Sequence, residues 1–140
     1  MSGFAGSGKP DVDWFLSGTI DRRKFDEYLL SPVHPDGRSK LALWNDVFGI
    51  DEGDGELLER LIREQLHQAT VIEREPRLDP EDESRAYRRF ELNIPRFEGP
   101  NGTVENVLTA WALNPEDKVP HLVTAYPKRV PGERTVRGQG

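Results

Sequence analysis

The stretch RAYRRFELNI, residues 85–94, decides the fold. Its apolar side chains Phe90, Leu92 and Ile94 recur at every second position, which is the period of a β-strand with one buried face. The tetrapeptide GPNG at residues 99–102 then brings together residue types that favour a tight turn. A strand that ends in a tight turn predicts an antiparallel neighbour immediately downstream.

Three further segments have the composition of strands. Residues 103–113, TVENVLTAWAL, follow the turn, and residues 121–126, HLVTAY, come after a second turn at residues 114–117, NPED. A shorter candidate, TVIER at residues 70–74, lies upstream. Because short turns join antiparallel neighbours, the sequence predicts a three- or four-stranded antiparallel sheet.

Ahead of the sheet, apolar residues repeat at helical spacing in three segments. The first helix is predicted through residues 22–30, capped by Asp21 and ended before Pro32. The second is predicted at residues 38–48, and the third begins near residue 54 and runs to residue 69. The predicted fold class is therefore α+β, with three N-terminal helices followed by the antiparallel sheet.

The length of 140 residues suits one domain with a single core. We place that domain at residues 13–127. Residues 1–12 are rich in Gly and Ser and are predicted to be a flexible N-terminal tail. Residues 128–140, KRVPGERTVRGQG, are predicted to be a flexible basic C-terminal tail, and contact with RNA or a partner is the alternative for them.

Composition excludes several classes of protein. The chain has no cysteine, which rules out disulfides and thiolate metal sites. No apolar run reaches the roughly 18 residues that a membrane span needs, and the first residues do not form a secretory signal. We therefore expect no membrane association and a cytoplasmic protein. A net charge of −6 argues against a general nucleic-acid coat but leaves room for a local basic site.

The densest group of chemically useful side chains is HPDGRSK at residues 34–40. His34, Arg38 and Lys40 stand where the second helix starts, and free backbone N–H groups at a helix start favour an anion. The alternative is a turn with a helix cap and solvated cations. The three histidines of the chain lack the spacing of a zinc motif, so no metal and no cofactor are expected.

Two other groups are candidates for ligand contact. Tyr87, Arg88 and Arg89 combine an aromatic ring with cations, which is the composition that stacks a base and follows an RNA backbone. Strand alternation predicts that Tyr87 and Arg89 share one face and that Arg88 lies on the other with Phe90, and pairing with carboxylates is the alternative role. Thr124 and Tyr126, two residues apart, are predicted to share a face of the last strand.

A set of short motifs gives the chain a resemblance to known proteins. In order these are YLL at residues 28–30, HPxGRSK at residues 34–40, Gly49, GPNG at residues 99–102, Trp111 and LVTAYP at residues 122–127. Over roughly residues 22–127 this order resembles a widespread prokaryotic domain family of unknown function. The layout is also similar, remotely, to the Barnase–EndoU–colicin–RelE group of small ribonucleases, many of which are toxins of bacterial conflict systems.

The second resemblance implies metal-independent cleavage of RNA, in which the 2′-hydroxyl attacks the adjacent phosphorus. It implies that His34 is the general base or acid, that Arg38 and Lys40 hold the phosphate, and that Thr124 and Tyr126 position it. The alternative is a non-catalytic binding or adaptor domain, such as an immunity protein, an antitoxin or a partner-docking module. The partner is then a cognate toxin or antitoxin rather than RNA, and an acidic surface suits a basic toxin.

Overall fold

The structure, a computed structural model, describes residues 11–128 of the chain. The predictions for the two tails therefore fall almost wholly outside the described residues. At the inner end of the predicted N-terminal tail, Val12 already belongs to a helix.

Within residues 11–128, the helical part of the chain contains four α-helical segments. They are α1 Val12–Leu16, α2 Arg22–Lys24, α3 Pro35–Phe48 and α4 Gly55–Gln65. A π-helical turn, Phe25–Leu29, continues α2, and a 3₁₀ turn, Leu66–Gln68, continues α4. The carboxylate of Asp11 caps α1 by accepting the N–H of Asp13 at 2.8 Å. None of the helices within residues 11–128 is long and apolar enough to cross a membrane.

The second half of the chain is a sheet of four antiparallel strands. They are β1 Thr70–Asp79, β2 Asp82–Glu98, β3 Val104–Leu113 and β4 His121–Pro127. Each strand pairs with its neighbour in sequence, so the order across the sheet is β1-β2-β3-β4. The prediction of an α+β fold with an antiparallel sheet is confirmed, and the sheet has four strands among the described residues.

One detail of the predicted order is wrong: the helices do not all precede the β-structure. Thr19, between α1 and α2, forms a parallel bridge with His121. Its N–H donates to the carbonyl of Pro120 at 2.9 Å, and its carbonyl accepts the N–H of Leu122 at 2.9 Å. This contact satisfies backbone groups on the outer edge of β4, where no other strand of residues 11–128 pairs. A single bridging residue has no periodicity, so the sequence pattern gives no sign of it.

The two faces of the sheet differ in composition. The helices pack on one face, where the buried side chains of β2, β3 and β4 are Phe90, Leu92, Ile94, Val107, Thr109, Trp111, Leu122 and Ala125. The opposite face, called the open face below, carries Tyr87, Arg89, Glu91 and Asn93 of β2 together with their cross-strand partners. These four side chains are partly exposed, and this face is therefore accessible to a ligand.

Candidate functional site

Helix α3 is anchored against strand β4 by a buried tryptophan. The indole N–H of Trp44 donates to the carbonyl of Ala125 at 3.3 Å. Lys40 lies one turn earlier on α3, and residues four apart share a helix face. Its ammonium nitrogen is 5.6 Å from the centroid of the Tyr126 ring, within range of a cation–π contact. The packing that buries Trp44 therefore also brings a cation from the HPDGRSK segment to the last strand.

A hydroxyl lies next to this contact on the same strand. Thr124 is opposite Ala110 and Tyr126 is opposite Leu108, so both point to one side of β4. The Oγ1 atom of Thr124 is buried and makes no hydrogen bond with the described residues. A buried hydroxyl without a partner is costly, and a ligand oxygen that reached it would remove that cost. Lys40, Thr124 and Tyr126 thus form a small polar group at the junction of α3 and β4.

His34 has a defined local role as the residue that caps α3. Its ring Nδ1 accepts the N–H of Gly37 at 3.3 Å, and its carbonyl accepts the N–H of Arg38 at 2.7 Å. Its own N–H donates to the hydroxyl of Ser31 at 3.2 Å. In the neutral ring this arrangement leaves the proton on Nε2. The helix cap considered as an alternative is therefore present.

The two cations of the HPDGRSK segment do not converge. Arg38 precedes Lys40 by two residues, which places the two side chains about 200° apart around the helix axis. Arg38 is exposed, whereas Lys40 is half-buried beside Tyr126. His34 is six positions before Lys40, a rise of about 9 Å along the axis. Of the predicted site residues, Lys40 and Tyr126 are brought into contact and Arg38 is directed elsewhere.

Arg88 is separated from its neighbours in sequence, as alternation predicted. Its guanidinium makes two hydrogen bonds to the carboxylate of Glu73, at 2.8 and 3.0 Å, on the helix side of the sheet. It also lies 5.0 Å from the ring centroid of Phe90 and 5.9 Å from that of Trp14. The hydrogen bonds raise the pKa of Arg88 and lower the pKa of Glu73. This arginine is held in a structural ion pair between a carboxylate and two aromatic rings.

Tyr87 and Arg89 line a cavity on the open face. Its volume is about 160 Å³, and its other lining residues include Arg74, Arg77 and the small residues Ala110 and Ala112. Arg74 pairs with Arg89 across β1 and β2, and Arg77 pairs with Tyr87. Sequence periodicity does not indicate Arg74 and Arg77 as ligand contacts, because a bulge between them interrupts the period of β1. The signal that would have found them is the register of the β1–β2 hairpin, which short-range patterning does not supply.

The described part of the chain contains no cluster of three His, Asp or Glu side chains placed to bind a metal ion. With respect to known proteins, the chain belongs to the DUF6883 family, a domain of unknown function whose model matches residues 15–129. No curated protein and no solved structure matches the chain.

Proposed function

We propose that this domain is a small metal-independent ribonuclease, a component of a toxin system that acts on RNA in the cytoplasm. Its site is the junction of α3 and β4. The observation that carries the proposal is the approach of the Lys40 ammonium to within 5.6 Å of the Tyr126 ring centroid, beside the Thr124 hydroxyl, which has no hydrogen-bond partner among the described residues. One cation and two hydroxyls are the groups that bind a phosphodiester. The remote resemblance to the Barnase–EndoU–colicin–RelE group, which is one of layout, agrees with this chemistry.

The reaction would proceed by attack of the 2′-hydroxyl oxygen on the adjacent phosphorus. A base takes the 2′-hydroxyl proton, the bond from phosphorus to the 5′ oxygen breaks, and an acid gives that oxygen a proton. Lys40 stabilises the charge that develops on the phosphorane, and Thr124 and Tyr126 donate hydrogen bonds to its oxygens. His34 acts as the base in the tautomer that carries its proton on Nδ1, which releases the Gly37 N–H: its Nε2 takes the 2′-hydroxyl proton, and solvent protonates the 5′ oxygen. Arg38, on the other side of α3, has no role at the phosphorus in this proposal.

The experiment is cleavage of a fluorogenic single-stranded RNA by the purified chain in EDTA. Removing one donor to a developing anion lowers kcat by about 100- to 1000-fold in well-studied enzymes, and we expect losses of that order in Lys40→Gln and at least tenfold in Tyr126→Phe. Arg60→Gln, which removes an exposed cation of α4, is the matched control and should cleave like the wild type. A substrate with deoxyribose at the cleaved position should resist the enzyme. Equal rates in wild type and Lys40→Gln would refute the proposal.

His34 needs a variant that separates its two roles. Asn is a good helix cap and cannot exchange a proton at neutral pH, so His34→Asn should fold like the wild type and lose cleavage. Induced expression in cells provides a second measurement: growth arrest that disappears in His34→Asn supports the ribonuclease. Unchanged cleavage in the folded His34→Asn variant would remove His34 from the mechanism.

A second candidate, a non-catalytic immunity protein, antitoxin or docking module, is favoured by the outer strand β1. This strand is the free edge of the sheet, and it exposes Ile72 and Leu78 along with Glu73 and Glu75. An exposed edge can accept a strand from another protein. This candidate would be favoured if RNA cleavage and growth arrest were both absent and if binding of a partner protein were lost in Ile72→Pro.

A further inference from the structure

We infer that the open face contains a nucleotide-binding subsite, in which Tyr87 stacks one base of single-stranded RNA and Arg77 and Arg89 hold the adjacent phosphate. The inference rests on the proposed action on RNA. It adds a second binding position on the sheet, away from the junction of α3 and β4, and two residues, Arg74 and Arg77, that the sequence did not indicate.

The subsite is built by two cross-strand pairs. Arg77 of β1 lies opposite Tyr87 of β2, and Arg74 lies opposite Arg89. Alternation along β2 places Tyr87 and Arg89 on the same side, so an aromatic ring and three guanidinium groups surround one cavity of about 160 Å³. An aromatic ring flanked by arginines is the arrangement that binds a base and its phosphate together.

The cations of the subsite are less neutralised than Arg85 and Arg88 of the same hairpin. Arg85 bonds to both Asp79 and Glu116, and Arg88 bonds to Glu73. At the cavity, by contrast, only Arg74 has a carboxylate partner among the described residues, Glu91, at 2.8 Å. Three guanidinium groups and one carboxylate leave a local excess of positive charge on a chain whose net charge is −6.

Two groups that would touch the ligand, on Arg77 and Tyr87, have no competing partner within residues 11–128, and a third, on Arg89, is held by a backbone carbonyl. Arg89 donates its Nε–H to the backbone carbonyl of Glu75 at 2.9 Å, which fixes the side chain and leaves its terminal nitrogens for an anion. The guanidinium of Arg77 and the hydroxyl of Tyr87 make no hydrogen bond with any residue in the described range. Arg77 can therefore bind a phosphate without first breaking an ion pair with a residue in the described range.

The floor of the cavity suits a flat ring. Strand β3 contributes Ala110 and Ala112 at this point, and β4 contributes Val123 at the side. Because alanine side chains are small, a base stacked on Tyr87 can approach the sheet without a clash. Charge complementarity and a flat apolar floor together favour a nucleotide over an acidic peptide, which has charge but no planar base.

The subsite lies on the sheet at a distance that one RNA strand can bridge. Asn93 is opposite Leu108, and Leu108 is opposite Tyr126, so Tyr126 is two strands across and six residues along from Tyr87. At about 3.4 Å per residue and 4.8 Å per strand, the two tyrosines are about 22 Å apart. Single-strand binding domains cover about 4 to 16 nucleotides, so one bound strand can occupy both positions.

The experiment measures binding and cleavage separately. Binding is followed by fluorescence anisotropy with a labelled single-stranded RNA of about 12 nucleotides, a length within the usual site size, whose 2′-O-methyl groups prevent cleavage. We expect Tyr87→Leu and Arg77→Gln each to weaken binding by about tenfold, while Arg60→Gln changes it by less than about twofold. Unfolding midpoints of all variants check that the fold is intact. Wild-type affinity in both folded variants would overturn the subsite.

Two further arms distinguish the subsite from the ribonuclease proposal and from general charge attraction. A dinucleotide substrate is too short to reach the cavity from the α3–β4 junction, so Arg77→Gln should cleave it at the wild-type rate, whereas Lys40→Gln should not cleave it. If no variant cleaves any RNA but Tyr87→Leu still weakens binding, the subsite stands and the ribonuclease fails. Competition by a polyglutamate peptide as strong as that by unlabelled RNA would overturn the assignment to a nucleotide.

Discussion

At the scale of single residues, Thr109 is the polar centre of the core. Its side chain is fully buried on β3. Its hydroxyl donates to the carbonyl of Leu92 at 2.8 Å and accepts the indole N–H of Trp111 at 2.8 Å. A buried donor must find an acceptor, so this one hydroxyl permits a tryptophan in the middle of an otherwise apolar layer.

We expect Thr109→Val to destabilise the fold by about 1 to 3 kcal/mol, because it leaves the Trp111 N–H buried without an acceptor. The measurement is the free energy of unfolding in urea. Trp111→Phe removes the donor, and the double variant Thr109→Val/Trp111→Phe completes a cycle. The effect of Thr109→Val should be clearly smaller when Trp111→Phe is already present. An effect of equal size with and without Trp111→Phe would show that the hydroxyl does not serve the indole.

The Arg88–Glu73 pair gives a prediction about pH. The hydrogen bond from Arg88 lowers the pKa of Glu73 below its ordinary value of 4.5. A carboxylate with a lowered pKa stabilises the folded state above its unfolded pKa, and this contribution is lost as the pH falls through the folded value. Wild type should therefore exceed Glu73→Gln in stability above about pH 5, by no more than about 1 kcal/mol because the pair is partly exposed.

The difference should close at lower pH, where Glu73 is protonated and resembles Gln. Unfolding curves at several pH values measure it. Glu81→Gln is the control, since Glu81 is exposed and forms no ion pair with a described residue, and it should follow the wild type throughout. A stability difference between the wild type and Glu73→Gln that stays constant down to about pH 3 would mean that the ionised carboxylate is not its cause.

At this scale the sequence predicted the direction of a side chain better than its partner. Period-two alternation correctly separated Arg88 from Tyr87 and Arg89. It did not decide whether Arg88 contacts RNA or a carboxylate, because Glu73 is on another strand and faces Arg88 only in the register that the hairpin adopts. Directions follow from local geometry, whereas partners depend on contacts distant in sequence.

At the scale of elements, α3 combines a structural cap with the proposed chemistry. The sequence predicted its start at residue 38, and the structure starts it at Pro35. Proline suits the first position of a helix, because its missing N–H has no partner there in any case. This signal was present in the sequence, and it also identifies His34 as the cap.

We expect His34→Ala to lower the stability of the fold by about 0.5 to 2 kcal/mol through loss of the acceptor for the Gly37 N–H. His34→Asn restores an acceptor and should recover most of that loss. Urea unfolding of the three proteins is the measurement. If Asn at position 34 were no more stable than Ala, the 3.3 Å contact would contribute nothing, and His34 would have no structural role as a cap.

The turn between β2 and β3 fixes the sheet to the end of α3, and here the sequence predicted the turn but not its contact. A Cβ atom on Gly99 would lie 2.5 Å from Cδ1 of Phe48, which is fully buried. We expect Gly99→Ala to destabilise the fold by about 1 to 3 kcal/mol, since the Phe48 ring must move within a packed core. Thermal unfolding measures this, and Pro100→Ala in the same exposed turn should have a smaller effect.

Elements with a long repeat were predictable and those without one were not. Residues 38–48, 90–94 and 121–126 carry clear periods and appear as predicted in α3, β2 and β4. Helix α1 has only five residues, too few for a repeat. Strand β1 extends five residues beyond the predicted 70–74, because the bulge after Arg74 breaks its alternation. Local pattern fails where the partner strand decides the conformation.

At the scale of the whole molecule, the candidate site depends on how the two halves of the chain pack. No local pattern shows that Lys40 meets Tyr126, because the contact follows from the insertion of Trp44 against the backbone of β4. The same packing covers one face of the sheet and leaves Arg74, Arg77 and Arg89 on the other. A chain of net charge −6 thus has a cationic face that its composition conceals.

This distribution of charge makes RNA binding sensitive to salt in a defined way. For single strands the logarithm of the association constant falls with the logarithm of salt concentration by about 0.7 for each phosphate neutralised. The two proposals place Arg77, Arg89 and Lys40 on phosphates, and three neutralised phosphates give a slope of about −2. Arg77→Gln should reduce its magnitude by about 0.7, whereas Arg60→Gln should leave it unchanged. Titrations of the 2′-O-methyl RNA at a series of salt concentrations measure these slopes. A wild-type slope near zero would mean that the open face does not carry the binding. The acidic surface elsewhere on the chain repels RNA.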